Sequence, residues 1–597
     1  MADVQSRTGK PYGPFGFLML SVLVGGVSGL CAVAFRGLIA FFHNLLFLGR
    51  LSLIYDASLH TPSSHWGPLV ILVPVGGAVG VAFLVKNFAP EAKGTGVPEV
   101  MDAINYRKGV IRPVVALVKA LASALSIGSG GSVGREGPIM QISSALSALL
   151  GRILAMSPRE RIILIAAGTG GGVAATFNTP VGGVLFAIEL LIHEMSVKTL
   201  VPITVSTAVA TYIGRIFFGD HPSFVIPQLE TPFFHLTDPT ILVGYAVLGG
   251  ILGMASLLFI RSVYWFEDFF DSHIKGGYYA RHLAGMLLVG VIMYLLMTNY
   301  GRYYIEGVGY STIQDILSGM SFPIYLLLLL FTLKLLATSI TLGSGGSGGI
   351  FSPSLFLGAT LGGAYGMCLQ MLLPDHELSP SAFAVAGMAG LLGGTTGAAL
   401  TSIVMIFEMT LDYNVILPMT ITVALSYGVR KLFSSESIYT MKLARRGLHV
   451  PQALQADFFR TRSAGEFMDT RFGIANAVMS AEDFAARGPA EVEAGENFLV
   501  AANGERVTGL INWDSVHAAI GRGEGRKTLE EISQKDFLRI TEGTSLQAVL
   551  TAMHAESSAW FLVVTDSSSP NAAAAKGIIT RERLAEFIAE AAEQFST

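Results

Sequence analysis

The stretch GSGGSVGREGP occupies residues 128–138, and its two adjacent charges, Arg135 and Glu136, are the only ones between Lys119 and Arg152. A carboxylate wrapped in glycines inside a long apolar run needs a reason. The surrounding chain sharpens the question. Of 597 residues, 51% are hydrophobic and 14% charged, and the mean hydropathy is +0.56. Soluble globular chains carry about 25% charged residues. Uncharged stretches run over 11–35, 162–188, 239–260, 335–374 and 378–407. A spanning helix needs roughly 20 mostly apolar residues, so residues 11 to about 433 read as a polytopic helical membrane region. A membrane barrel would show short alternating segments instead. The first apolar segment lacks a small-residue cleavage site and reads as a retained helix rather than a signal peptide. Cys31 and Cys368 both sit in apolar segments, which argues against a disulfide framework. The net charge of −4 points to no nucleic-acid partner.

The same stretch is half of an internal repeat. KALASALSIGSGGSVGREGP (119–138) aligns without gaps to KLLATSITLGSGGSGGIFSP (334–353), an offset of 215. Lys119 matches Lys334, Gly134 matches Gly349, and Pro138 matches Pro353. Further on, FNTPVGGVLFAIELL (177–191) loosely resembles TGAALTSIVMIFEMT (396–410), which sets Glu189 against Glu408. Paired repeats interrupted by Gly and Pro are the best sequence pointer to a transport site. Non-helical backbone at membrane depth survives only inside protein or beside a water-filled cavity. Each element is expected to end one helix and begin another, with proline in the first turn of the new helix. Free N–H groups and the helix dipole at such starts favour an anion. The wrong sign for a cation follows from the same geometry. For AAGTGGGVAA (166–175) and GLLGGTTGAA (390–399), close helix packing is the expected role. Packing explains the glycines of 128–132 and 343–347 but not Arg135 and Glu136. Neighbours at i, i+1 do not face each other on a helix. An intramembrane carboxylate is by default a functional-site residue. The P-loop reading fails because the Lys-Ser/Thr ending is missing.

Three ordered motifs resemble those of the CLC family of chloride channels and chloride/proton antiporters: GTGVPE (94–99), GREGP (134–138) and GGIFSP (348–353). Tyr439, placed late in the last membrane helix, is a fourth point of likeness. The resemblance covers about residues 15–448. It implies an all-α polytopic membrane protein, with tilted, broken helices in two inverted repeats, and a homodimer with one anion pathway per subunit. Carried over by position, Thr95, Gly137, Ile350, Phe351 and Tyr439 would bind the anion. Gly134, Arg135, Pro138, Gly349 and Pro353 would complete the selectivity motif. Glu136 would be the gating glutamate, a carboxylate competing with chloride for the same donors.

Two departures from the family pattern stand out. Thr95 replaces the usual serine but keeps the hydroxyl, so chloride rather than nitrate is the expected anion. Leu190 stands where antiporters usually carry an internal proton-relaying glutamate. Glu189 is one residue earlier and turned about 100° away on a regular helix; His193 and Glu194 read as a solvated helix end. A passive chloride channel and a proton-coupled exchanger therefore both remain open. Other carriers, for a different anion or for a cation, are the alternative class, and the chain is not expected to be an enzyme.

Residues 464–597 resemble a tandem CBS pair, α+β in class, each copy reading as strand, turn, strand, helix over 496–520 and 558–588. At the strand–helix junctions the first copy offers Asn512 and Ser515, the second Thr580 and Arg583. The aspartate that family members use for adenine nucleotides is missing from both. A dimerising or gate-contacting module is the expected role, with no cofactor and no metal. The basic cluster Arg430, Lys431, Lys442, Arg445 and Arg446 puts the C-terminal domain in the cytoplasm by the positive-inside tendency. Arg7 and Lys10 put the N-terminus there too. The domains are thus a cytoplasmic segment 1–14, a transmembrane domain 15–448, a linker 449–463 and a cytoplasmic domain 464–597, in an inner membrane.

Overall fold

In the computed structural model, residues 12–226, 239–320, 322–374, 376, 378–448, 462–487, 498–556, 560–564 and 572–596 are described. Arg7 and Lys10 lie outside them. The chain forms two compact units, Met1–Val450 and Pro451–Thr597.

The described residues of the first unit fold as helices joined by loops. Its first half runs α1 (Pro14–Leu48), α2 (Leu72–Phe88), α3 (Val97–Asn105), α4 (Val114–Gly128), α5 (Glu136–Ile153), α6 (Pro158–Phe177), α7 (Pro180–Ala187) and α8 (Val197–Phe218). The second runs α9 (Pro239–His273), α10 (Gly277–Tyr300), α11 (Tyr310–Leu317), α12 (Ile324–Gly343), α13 (Phe351–Leu372), α14 (Pro380–Thr396), α15 (Ala399–Thr410) and α16 (Ile416–Phe433). Element for element, the second half repeats the first. The packing repeats too: α1 on α8 as α9 on α16, α2 on α4 as α10 on α12, α5 on α6 as α13 on α14. Among the described residues, 8 helices are long and apolar enough to cross a membrane.

Local chemistry sets the helix ends. Proline occupies the first turn of α1, α3, α6, α7 and α14, where a missing N–H costs nothing. Pro138 and Pro353 each stand third in α5 and α13, as the repeat predicts. The glycines of α6 and α14 are packing surfaces. A Cβ on Gly168 would meet Ser147 Oγ at 2.1 Å, and one on Gly387 would meet the Gly358 carbonyl of α13 at 2.2 Å. Small residues let these backbones approach closely.

Tyr439 is not in the last long helix. That helix, α16, ends at Phe433, and Tyr439 precedes a separate turn of helix, α17 (Thr440–Ala444). The buried Arg430 explains the break: its guanidinium donates to the carbonyls of Gly394, Ser434 and Ser435 at 3.0–3.3 Å. Those carbonyls are thereby satisfied without continuing the helix.

Among the described residues, the second unit holds two three-stranded sheets of identical topology. The first is β1 (Phe472–Asn476), β2 (Phe498–Asn503) and β3 (Arg506–Asn512); the second is β4 (Phe537–Thr541), β5 (Trp560–Val564) and β6 (Ala575–Thr580). In each, the first pair is parallel and the second antiparallel. The sheets face each other through Val500, Val507 and Leu510 against Leu562, Val564 and Ile578. The strand–turn–strand–helix readings correspond to β2–β3 with helix Trp513–Gly521, and β5–β6 with helix Arg581–Ser596. The opening strands β1 and β4 are five-residue segments, too short and too mixed in polarity to stand out by period alone.

Candidate functional site: four helix starts around Glu136

The loop before α5 and the loop before α13 hold each other by reciprocal hydrogen bonds. Gly134 N–H donates to the Gly349 carbonyl at 2.7 Å, and Gly349 N–H to the Gly134 carbonyl at 2.6 Å. A third strand of backbone joins them: Gly94 N–H donates to Gly346 O at 2.9 Å, and Gly348 N–H to Gly94 O at 3.2 Å. The motifs at 94–99, 134–138 and 348–353 therefore meet although they are far apart in the chain. Side chains cannot fit between them. A Cβ on Gly137 would lie 2.1 Å from the Thr95 carbonyl and 3.3 Å from Gly349 Cα.

Glu136 begins α5 and is 1% exposed. Its carboxylate turns back over Gly134 to the start of α13. It accepts hydrogen bonds from the Ser352 hydroxyl, from Tyr310 Oη at 3.0 Å and from Ser352 N–H at 3.4 Å. Tyr310 Oη and Ser352 Oγ lie 2.9 Å apart, so two hydroxyl hydrogens are shared among three oxygen–oxygen contacts. Arg135 does not pair with Glu136; its guanidinium lies 5.2 Å over the Tyr310 ring. A carboxylate thus fills the N-terminal end of a helix, where any small anion would be favoured.

Phe351, the repeat partner of Glu136, is buried and packs on Phe177 with ring centroids 5.1 Å apart. Ile350 is the residue preceding α13 and fully buried. Thr95 is half-buried. Tyr439 is buried, and the Ile438 backbone before it is held at both ends, by Thr395 O at 3.0 Å and by Tyr264 Oη at 2.6 Å.

Tyr310 and Ser352 escaped the sequence reading. A signal for Tyr310 was present: GVGY (307–310) is the counterpart of GTGV (94–97). The two matched lysines show it. Lys119 Nζ donates to Ala92 O at 3.0 Å and Gly94 O at 2.6 Å. Lys334 Nζ donates to Ile305 O at 3.0 Å and Gly307 O at 2.8 Å. Both lysines are 0% exposed. Each ties down the turn before a short helix, α3 or α11, and Gly96 and Gly309 take φ of +87° and +77° in those turns. Such backbone is open to glycine at little cost.

Glu189 and Glu408 form a second reciprocal pair. Glu189, at the end of the α7 segment, accepts from Leu400 N–H (3.1 Å), Thr401 N–H (2.8 Å) and Thr401 Oγ1 (2.7 Å) at the start of α15. Glu408, at the end of α15, accepts from Val181 N–H (3.1 Å) and Gly182 N–H (2.7 Å) at the start of α7. Each carboxylate caps the other's helix, which is favourable at a helix N-terminus. Reciprocal contacts of this kind mark a local two-fold relation. Leu190 is buried, in a π-helical turn Ile188–Ile192 that ends in left-handed His193. Glu194 lies 3.6 Å from Arg159. Most of the basic cluster is already engaged: Lys442 and Arg446 bond Glu99 at 2.8 and 3.1 Å, and Arg445 pairs with Asp268. Among the described residues, no cluster of three or more His, Cys, Asp or Glu side chains is arranged to hold a metal ion.

In the second unit, Asn512 Oδ1 accepts from Asp514 N–H at 2.9 Å and Thr580 Oγ1 from Arg583 N–H at 3.2 Å. Arg583 reaches Glu586 at 3.2 Å. Both junction residues are occupied as helix caps.

Duplicated membrane helices, broken where their N-termini converge on a buried carboxylate, define a membrane transport protein. The family model for voltage gated chloride channels matches residues 76–431, and the chain belongs to that family, whose members are channels and transporters rather than enzymes. The H(+)/Cl(-) exchange transporter ClcA of Vibrio vulnificus is 32% identical over 444 residues, covering 72% of this chain and 90% of the relative. ClcA of Salmonella arizonae is 32% identical over 456 residues, covering 76% and 93%. Among solved structures, a slow cyanobacterial Cl-/H+ antiporter matches at 25% identity and a TM-score of 0.63, over 72% of this chain and 97% of that one. A eukaryotic CLC transporter shares the fold at 20% identity and a TM-score of 0.61, over 95% and 97%.

Proposed function

We propose that this protein moves chloride across a membrane through the point where α3, α5, α11 and α13 begin, with Glu136 as the gate. The observation that carries this reading is the Glu136 carboxylate on the donors of Ser352 and Tyr310 at the start of α13. A chloride ion competes for the same N–H and O–H groups. Protonation removes the carboxylate's negative charge and weakens those bonds. The freed helix start then accepts chloride. Thr95, Gly137, Ile350, Phe351 and Tyr439 line the path on this reading, and Gly134, Arg135, Pro138, Gly349 and Pro353 shape it. On this reading flux rises as pH falls.

Coupling to protons is the favoured form, because the relatives quoted are named exchangers. Leu190 cannot relay a proton and Glu189 is committed to capping α15. The proton then reaches Glu136 through water or another acid. A passive channel is the second reading, favoured by Leu190 itself. The test is purified full-length protein in liposomes, with chloride efflux and internal pH read together. Uphill proton movement driven by a chloride gradient supports exchange; chloride flux without it selects the channel. Flux of another anion or of a cation, with none of chloride, overturns the proposal.

The remaining features follow the same reading. The protein acts as a homodimer in a cytoplasmic membrane, with both termini inside. Exposed Val201, Tyr212 and Ile216 of α8 and Leu417 and Leu425 of α16 leave apolar faces for lipid or a second copy. The C-terminal unit is a CBS-type pair, supported by its duplicated strand–helix topology. Its junction side chains are spent on capping, so it serves dimerisation or gating rather than adenine-nucleotide binding.

A further inference from the structure

A second cluster of charge adjoins the gate without being part of it. Arg36 of α1 and Arg135 of the loop before α5 line one small cavity, together with His43, Tyr55, Gly307 and Val308. It leaves ≈ 20 Å³ for the centre of a water-sized particle, enough for one water or one small ion. Arg135 is only 8% exposed, and its Nε has no hydrogen-bond partner. Both guanidinium groups present positive charge to this one cavity. Among the described residues neither arginine forms an ion pair.

The nearby carboxylates bond groups other than the two arginines. Glu306 bonds His43 Nε2 at 2.8 Å. Glu136 bonds Ser352 and Tyr310. Asp56 is exposed, and it accepts from Ser58 N–H at 2.9 Å. Arg36 stacks on Phe218 at 4.3 Å and Arg135 on Tyr310 at 5.2 Å, which positions the two heads but neutralises neither. Two like charges held around a cavity, one of them buried with a bare N–H, are costly without a counter-charge. A cleft lined by one sign of charge also concentrates ions of the other.

We propose that the cavity between Arg36 and Arg135 is an anion subsite of its own, which takes up one small monovalent anion of the halide class and delivers it to the place Glu136 vacates. Arg135 precedes Glu136 in the chain and Tyr310 touches both, so the step between the two sites is short. The transport role of the subsite rests on the chloride reading above; anion occupancy does not.

Two measurements on the full-length protein separate these. Crystals grown in bromide are expected to show an anomalous peak between Arg36 and Arg135, absent in Arg36→Gln. A water without anomalous signal in the wild-type cavity overturns the subsite whatever the protein transports. In liposomes, Arg36→Gln is expected to raise the chloride concentration for half-maximal flux about tenfold from the side of the α1–α2 loop. Arg36→Lys restores most of that loss, which a purely structural defect would not show. A shift below twofold in Arg36→Gln overturns delivery through this site. Wild-type liposomes without chloride flux would sink the proposed function while leaving the bromide result to decide the subsite.

Discussion

The two halves of the membrane unit are the same device built twice, and they differ where it matters. Lys119 and Lys334 each bridge two carbonyls in front of a short helix. Gly134 and Gly349 exchange hydrogen bonds. Yet α5 starts with Glu136 and α13 with Phe351, and α3 starts with Val97 where α11 starts with Tyr310. The first half supplies the carboxylate; the second supplies the donors that hold it. Duplication produced the helix ends, and divergence put acid on one side and hydroxyls on the other.

The largest test of that asymmetry is Glu136→Ala. It removes the acid that rests on Ser352 and Tyr310, and all pH gating and proton coupling are expected to vanish while chloride still permeates. Unchanged pH dependence in the liposome assay would falsify the gate. The matched lysines test the symmetry instead. Lys119→Met and Lys334→Met each strand two loop carbonyls, and each is expected to cost about 3 kcal/mol. Unfolding in detergent should show similar losses for both; a large loss for one alone would mean the two halves do not share the load.

Smaller effects concern the donors. Ser352→Ala and Tyr310→Phe each remove one hydroxyl from Glu136 and are expected to cost the closed gate about 1–2 kcal/mol. Chloride flux at neutral pH should rise in both, and a fall would mean these hydroxyls serve the anion more than the carboxylate. Smallest of all are Glu189→Gln and Glu408→Gln, each about 1 kcal/mol of helix capping. Their melting temperatures should drop together, with the ratio of protons to chloride unaltered. Loss of coupling in Glu189→Gln alone would make that residue a relay after all.

Much of this was legible in the chain. The gapless match of 119–138 to 334–353 predicted where helices break, and Pro138 and Pro353 predicted where they restart. Arg135 and Glu136 drew attention because charge is rare at membrane depth. Tyr439 was misplaced, because an apolar run does not show that Arg430 would consume the carbonyls after α16. Tyr310 was missed, because GVGY shares only its glycines with GTGV.

By itself the sequence determined the class of fold, the repeat and the identity of the acid, since hydropathy, glycine and proline act locally and leave a periodic trace. Only tertiary structure decided the partners: that Glu136 rests on Ser352 and Tyr310, that Glu189 and Glu408 cap each other's helices, and that Arg36 faces Arg135. Those contacts join segments far apart in the chain, and hydrogen-bond geometry between distant backbones has no local signature in residue order.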